Sequence, residues 1–404
     1  MRMPFLPDLE ARNDSRSAGS AGLTGCFVPA CALALVLAGT VAFVGAESLR
    51  PATKDAGATR ASLPSGAASP SPRTVARRVA VAQGKDLKIF FVDVEGGQST
   101  LFVTPAGDSL LVDTGWPDNN GRDANRIVAV AKKAGTRKID YVVITHFHTD
   151  HVGGVPQLVA RIPVGTFIDH GPNRQADDAV TEQGYEAYQK VLATGKYKHI
   201  LAKGGEVLPV RGMHVEVVSA DGVTIAKPLP GAGESNASAC AASPKYPVDQ
   251  TENKRSVGMV ITFGKLRILD LGDLTHDEEV KLMCPVNKLG KINIYIVSHH
   301  GWDQSSSPAL VWGIAPRVAI MDNGAKKGGS PSVWDIIEKS PGLENLWQLH
   351  YSDEGASKHN VAPEYIANLD GPDAGHYIEL TANPGGSFSV FNSRTDKTKE
   401  YVSQ

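Results

Sequence analysis

The chain has 404 residues, 42% of them hydrophobic and 21% charged, with 41 Lys+Arg against 43 Asp+Glu and a formal net charge of −2. That is ordinary globular composition, with ample length for a sizeable core. The charge balance excludes a global basic field for nucleic acid and leaves room only for a local basic groove.

Residues 26–44 carry no charge and run into Val44-Gly45-Ala46, a small-residue processing site. The segment 1–46 reads as a cleavable export signal ending at Ala46. An uncleaved membrane anchor is the alternative, because the run is just long enough to span a bilayer. The leader departs from a short basic one by carrying Asp8, Glu10 and Asp14 beside Arg2, Arg12 and Arg16. The expected location is periplasmic, extracellular or membrane-anchored. Residues 47–84, rich in Ala, Ser, Pro and Arg, read as a flexible linker. Of the four cysteines, Cys26 and Cys31 lie in the leader. Cys240 and Cys284 remain for the folded part, and an oxidising compartment would pair them as a disulfide.

From residue 85 to 404 the pattern is that of one α/β domain. Strands are predicted at Leu87–Val94, Ser99–Val103 and Ser109–Val112. A helix over about 122–134 leads into a strand at Ile139–Ile144. A helix near 155–161, a strand at 164–168, a helix at 176–194 and short strands at 206–210 and 213–218 follow. The segment 222–254 contains Pro228, Pro230, Gly231, Gly233, Pro244 and Pro247 and is long for a structureless loop, so it is expected to be functional or pinned. Strands at 256–263 and 266–271, a helix near 275–283 and a strand at 292–297 come next. Helices at 307–313 and 331–339 alternate with strands at 317–321 and 345–349. Two strands near 376–381 and 387–392 close the chain.

The most informative stretch is Thr145-His146-Phe147-His148-Thr149-Asp150-His151-Val152-Gly153-Gly154, directly after an apolar strand. Three imidazoles and a carboxylate in six positions point to a metal site. Side chains alternate along an extended strand end, so His146 and His148 point the same way and can grip one ion. Asp150 and His151, at the turn into the next helix, can grip a second. Gly153 and Gly154 permit a tight backbone there. Nitrogen and carboxylate donors suit zinc, with manganese or iron also open. Asp113 before Gly115, Asp273 after Gly272, and His299-His300-Gly301 also lie just past predicted strands. Each alone is an ordinary turn residue. Together they are polar groups at the ends of several strands, where α/β sites gather.

In this order the motifs resemble the metallo-β-lactamase fold superfamily over nearly all of 86–395. The resemblance implies a four-layer αββα sandwich with a dinuclear metal site at one edge of two sheets. Asn253-Lys254-Arg255-Ser256, Ser298-His299-His300-Gly301 and Asn323 with Ser330-Pro331 make it most similar to the hydrolase domain of bacterial competence DNA-internalisation proteins and their exported single-domain relatives. By that resemblance His146 and His148 bind the first metal, and Asp150 and His151 the second. Asp273 bridges them, and His299 is the favoured late ligand with His300 as its alternative. Asp113 orients the ligand loop by hydrogen bonds. Many members carry a further histidine after a strand corresponding to 213–218. Here Val218-Ser219-Ala220-Asp221-Gly222 has none, so the first metal is weakly held, held by Asp221, or reached by His170, which otherwise reads as an exposed loop histidine. Ser330-Pro331 stands where the competence-type domains often have His-Pro.

The implied activity is metal-assisted hydrolysis by a metal-activated hydroxide, with two zinc ions expected and Asp150 helping to orient the water. The favoured substrate is a small or polymeric phosphodiester. The runner-up is an ester, lactone or thioester. A non-catalytic binding protein on the same fold is the reading from another class, and metal content would discriminate. Trp302, Asp303 and Asn253 are candidate substrate contacts, and no stable protein partner is expected. Lys326 and Lys327 form the nearest local basic cluster.

Overall fold

The computed structural model describes residues 85–369, 371 and 373–404. The export segment at 1–46 and the linker at 47–84 lie outside the described residues. Among the described residues, no helix is long and apolar enough to cross a membrane.

The strands form two nine-stranded sheets. The first runs, in spatial order, Lys397–Tyr401, Phe388–Asn392, Ile378–Ala382, Leu87–Phe91, Thr100–Val103, Ser109–Val112, Ile139–Val143, Val164–Asp169 and Lys198–Leu201. Its first strands pair antiparallel, and the last four run parallel. The second runs Ile366–Asn368, Asn345–His350, Val318–Met321, Ile294–Ile296, Leu266–Asp270, Gly258–Phe263, His214–Ala220 and Val207–Leu208, with Val223–Thr224 paired to His214–Ala220.

Three apolar clusters define the layers. The central one joins Ile89, Phe91, Phe102 and Val112 of the first sheet to Val217, Ile261, Ile268 and Ile294 of the second. The sheets therefore pack face to face. On the outer face of the first sheet, Leu101, Leu111 and Val142 meet Ile127 and Ala131 of the helix Arg122–Lys133. That helix buries Ala124, Ile127, Val128, Val130 and Ala131, a stripe at helical spacing. On the outer face of the second sheet, Leu269, Tyr295 and Ala319 meet Leu282 and Met283 of His276–Met283, Leu310 and Ile314 of Pro308–Ile314, and Ile337 of Pro331–Glu338. The layer order is αββα, as expected.

Most predicted elements lie within a few residues of their expected places. The differences have physical reasons. Lys198–Leu201 and Lys397–Tyr401 are edge strands whose charged residues hide any alternation. Ile366–Asn368 is only three residues long. The segment 222–254 is pinned. It holds a short helix, Ala237–Ala242, and Cys240 is disulfide-bonded to Cys284. Asn236 Nδ2 donates to the carbonyls of Met283 and Ala309.

Candidate metal centre

Four segments that leave strand C-termini converge at one end of the sandwich. Ser109–Val112 and Ile139–Val143 run parallel, so Asp113 and the His146–His151 motif emerge side by side. Leu266–Asp270 and Ile294–Ile296 are likewise parallel and deliver Asp273 and His299-His300. Parallel pairing thus gathers the polar strand ends at one edge. The motif itself turns into a one-turn helix, Thr149–Val152. Gly153 is not needed for an unusual backbone angle, since its φ is −61°. It is needed for space: a Cβ there would stand 2.3 Å from the Thr149 carbonyl oxygen.

Two groups of donor atoms share one carboxylate. Asp150, His151, Asp273 and His300 form one group, and His146, His148 and Asp273 the other; within each, the ligand atoms lie within 4.8 Å of one another. Asp273 Oδ2 lies 3.2 Å from His151 Nε2 and 3.8 Å from His146 Nε2, and Asp273 Oδ1 lies 3.4 Å from His300 Nε2. Asp150 Oδ2 is 3.3 Å from both His151 Nε2 and His300 Nε2. His148 Nδ1 faces His146 Nε2 at 3.0 Å. All of these groups are buried except His148, which is half-buried.

The donor set fits a divalent metal. Asp273 Oδ1 is buried with no hydrogen-bond partner, an arrangement costly unless a cation faces it. Imidazole nitrogens and carboxylates are the donors zinc prefers. The electrostatics agree. Burial opposes charge on His151, yet Asp273, Asp150 and Asp113 hold its pKa well above the ordinary value. Burial likewise opposes charge on His300, but Asp273 leads the groups that push its pKa up to about 10. For His146, burial and the neighbouring His151 win, and its pKa falls well below normal. The carboxylates thus create a field favouring positive charge, as a dication requires.

The buried Asp113 is not in either group but holds one. Its Oδ2 lies 2.7 Å from His151 Nδ1, and its Oδ1 accepts the Thr145 N–H at 2.8 Å. His299, the favoured late ligand, stands outside the four-residue group, and His300 takes that place. Both adopt left-handed backbone, φ 56° and 55°, so the turn aims the two rings differently. His299 Nε2 still lies 3.3 Å from Asp273 Oδ2, while its Nδ1 faces Ser305 Oγ at 3.3 Å. Burial pulls its pKa down to about 4.

Asp221 and His170 stand outside both donor groups, and His170 is buried rather than an exposed loop residue. His170 Nε2 faces Glu252 Oε2 at 2.9 Å. Asp221 is bound by the Arg174 guanidinium at 2.7 and 3.0 Å. The strand His214–Ala220 brings Ser219 to Ser256, whose hydroxyl accepts the Asp273 N–H at 3.2 Å and lies 3.5 Å from His146 Nδ1. Trp302 is 38% exposed, with its ring centroid 5.9 Å from that of His299. Asp303 lines a cleft of about 650 Å³ with Tyr246, Asp249, Thr275, His276 and Gln304. Asn253 is buried, its Oδ1 unpartnered, and it does not line that cleft.

Sequence reasoning placed none of three further residues at the metal centre, and of these it named only Lys327, as part of a local basic cluster. Lys327 forms an ion pair with Asp150. The buried Glu252 accepts the backbone N–H of Phe147 at 3.3 Å and of Arg174 at 2.6 Å. Gln175 Oε1 accepts the Glu252 N–H at 2.9 Å and faces His148 Nε2 at 3.0 Å. Only Lys327 left a signal, as a lysine in a glycine-rich turn, Gly324 to Gly329.

Residues 93–235 match the metallo-beta-lactamase superfamily. The chain is 31% identical over 105 residues to a hydroxyacylglutathione hydrolase of Stenotrophomonas maltophilia, covering 26% of this chain and 37% of that protein. It is 25% identical over 234 residues to recombination protein 2 of Haemophilus influenzae, covering 58% of this chain and 24% of that protein. The chain therefore spans well under half the length of either curated relative. The metallo-beta-lactamase fold protein YhfI from Bacillus subtilis aligns with TM-score 0.41 and 14% identity, over 73% of this chain and 99% of that one. The superfamily match spans the histidine motif, the two packed sheets carry helices on their outer faces, and the chain is thus a metallo-β-lactamase-fold protein with a candidate metal centre at the shared end of its sheets.

Proposed function

We propose that this protein is an exported, metal-dependent phosphodiester hydrolase that holds two zinc ions. The observation that carries the reading is the sharing of Asp273 between two buried donor groups. A divalent metal supplies hydroxide near neutral pH by lowering the pKa of water toward about 7. His146 and His148 would hold one ion, Asp150, His151 and His300 the other, and Asp273 is shared by the two donor groups. Asp113 fixes the ring of His151, and Asp150 orients the attacking water. In the net reaction a water oxygen would bond to phosphorus as the P–O bond to the leaving alcohol breaks, with one proton of that water passing to the alcohol oxygen. Recombination protein 2, the longer of the two curated matches, supports a phosphodiester of the nucleic-acid kind. The uncharged run at residues 26–44 and the Cys240–Cys284 disulfide support export.

The test is hydrolysis of bis(p-nitrophenyl) phosphate by the zinc- or manganese-loaded protein, with His148→Ala alongside. Metal-dependent turnover that the variant loses is expected. A folded, metal-loaded protein without turnover would remove the phosphodiester reading. The relative named for hydroxyacylglutathione hydrolysis favours the second reading, acyl hydrolysis of an ester, lactone or thioester on the same donors.

A further inference from the structure

We propose that Lys327 is the substrate-binding cation of this site, contacting a non-bridging oxygen on the scissile phosphorus and thereby selecting anionic over neutral esters. The proposal rests on the hydrolase reading above and deepens it to a specificity-determining residue.

Three observations carry it. Lys327 Nζ pairs with Asp150 Oδ2, the same oxygen that lies 3.3 Å from His151 Nε2 and His300 Nε2. The ammonium therefore stands at the rim of the four-residue donor group rather than on a remote surface. Its side chain keeps 21% exposure where Asp150 keeps 7% and the rings of His151 and His300 none. Lys327 is thus the cation of that group that solvent, and a substrate arriving from solvent, can reach. An ammonium has three donors. Asp150 takes one, and the indole face of Trp116, with its centroid 5.1 Å away, flanks the head group without accepting a conventional hydrogen bond.

The backbone holds the lysine in place. The Gly324 N–H donates to the Lys327 carbonyl at 2.9 Å, and the Gly329 N–H to the His300 carbonyl at 2.9 Å. Gly328, at φ 78°, packs so closely that a Cβ would stand 2.1 Å from the His300 carbonyl oxygen. The turn carrying the cation is thereby locked to the turn carrying the ligand. A long flexible side chain on a fixed base can keep its tie to Asp150 while meeting a charged oxygen beside the metals. A neutral ester offers no such charge in its ground state, so the lysine discriminates between the two substrate classes.

The experiment compares wild type, Lys327→Met and Lys327→Arg at equal zinc content. It reads kcat/KM for bis(p-nitrophenyl) phosphate and for p-nitrophenyl acetate, and calorimetric binding of inorganic phosphate to the zinc-loaded protein. The ratio of phosphodiester to acetate kcat/KM is expected to fall about 10- to 100-fold in Lys327→Met, as for loss of one charge-assisted hydrogen bond, with phosphate binding weakened alongside. Lys327→Arg should restore most of both. Equal losses on the two substrates, or phosphate binding that the methionine variant leaves intact, would overturn the proposal. Weakened phosphate binding in a protein that turns over neither substrate would instead remove the hydrolase reading and leave the anion contact standing.

Discussion

Asp113 and His151 are joined by a 2.7 Å contact between Oδ2 and Nδ1, deep in the protein where neither side chain meets solvent. The contact fixes the ring so that Nε2 faces Asp150 and Asp273. Thr145 reinforces it from both its N–H and its hydroxyl, at 2.8 and 2.7 Å. Asp113 also sits at φ 59°, a backbone conformation costly for aspartate and maintained by its surroundings. Partners that orient a metal-binding imidazole change metal affinity by about 10- to 100-fold when removed. Asp113→Ala should therefore weaken zinc binding by that order, read by chelator competition. Unchanged affinity in a folded variant would reduce Asp113 to a turn residue.

His299 and His300 separate by the same measurement. His300 Nε2 lies within reach of Asp150 and of Asp273, whereas His299 reaches Asp273 alone and spends Nδ1 on Ser305. His300→Ala should lower the bound zinc per chain, and His299→Ala should leave it close to wild type. Zinc counting by elemental analysis after gel filtration decides. The reverse ranking would restore His299 as the late ligand.

The metal donors were largely legible because their spacing is local. His146, His148, Asp150 and His151 fall within six consecutive positions, from a strand end into a one-turn helix, and their chemistry follows from alternation and a turn. Asp113 and Asp273 were legible as acids after strands. The order of His299 and His300 was not, because two consecutive left-handed residues break the alternation that a strand end would give. Glu252 and Gln175 were illegible for another reason. Gln175 reaches His148 from 27 residues away along the chain and Glu252 reaches Phe147 from 105, through contacts that exist only once the chain has packed. Lys327 was legible as a lysine of a local basic cluster, but its contact with Asp150, 177 residues away, was not. The layer order was readable from apolar strands and helical stripes, while edge strands with charged sequences were not.

Asp270 gives stability a pH dependence. Burial pushes its carboxyl up to about 7, even though Gln98 Nε2 donates to both oxygens, at 3.0 and 2.9 Å. An acid whose folded-state pKa exceeds its unfolded value of about 4 stabilises the fold fully at low pH. That contribution is lost as pH rises through the folded pKa. Between pH 6 and pH 8 the wild type should lose about 1 kcal/mol relative to Asp270→Asn. Urea midpoints of both proteins at the two pH values check this. Parallel profiles would mean that Asp270 is already ionised in the fold at pH 6.

Glu252 ties the segment 246–255 to the metal-binding loop by one polar contact and to residues 170–175 by three. Its Oε2 meets the Phe147 N–H and His170 Nε2, its Oε1 meets the Arg174 N–H, and its own N–H meets Gln175, whose Oε1 also faces His148 Nε2. Truncation to alanine strands the buried N–H of Phe147, the partly buried N–H of Arg174 and the buried imidazole of His170. Losing one side of such a network costs about 3 kcal/mol. Glu252→Ala should lower the urea midpoint accordingly, with the slope unchanged if the transition stays two-state. Gln175→Ala acts differently. It removes the neighbour of His148 but leaves the Glu252 carboxylate contacts in place, so stability should change little while zinc affinity at the His146–His148 group falls. Running both variants through the same urea and zinc titrations separates the two roles. A Gln175→Ala protein with wild-type zinc affinity would mean that His148 is positioned by its backbone alone.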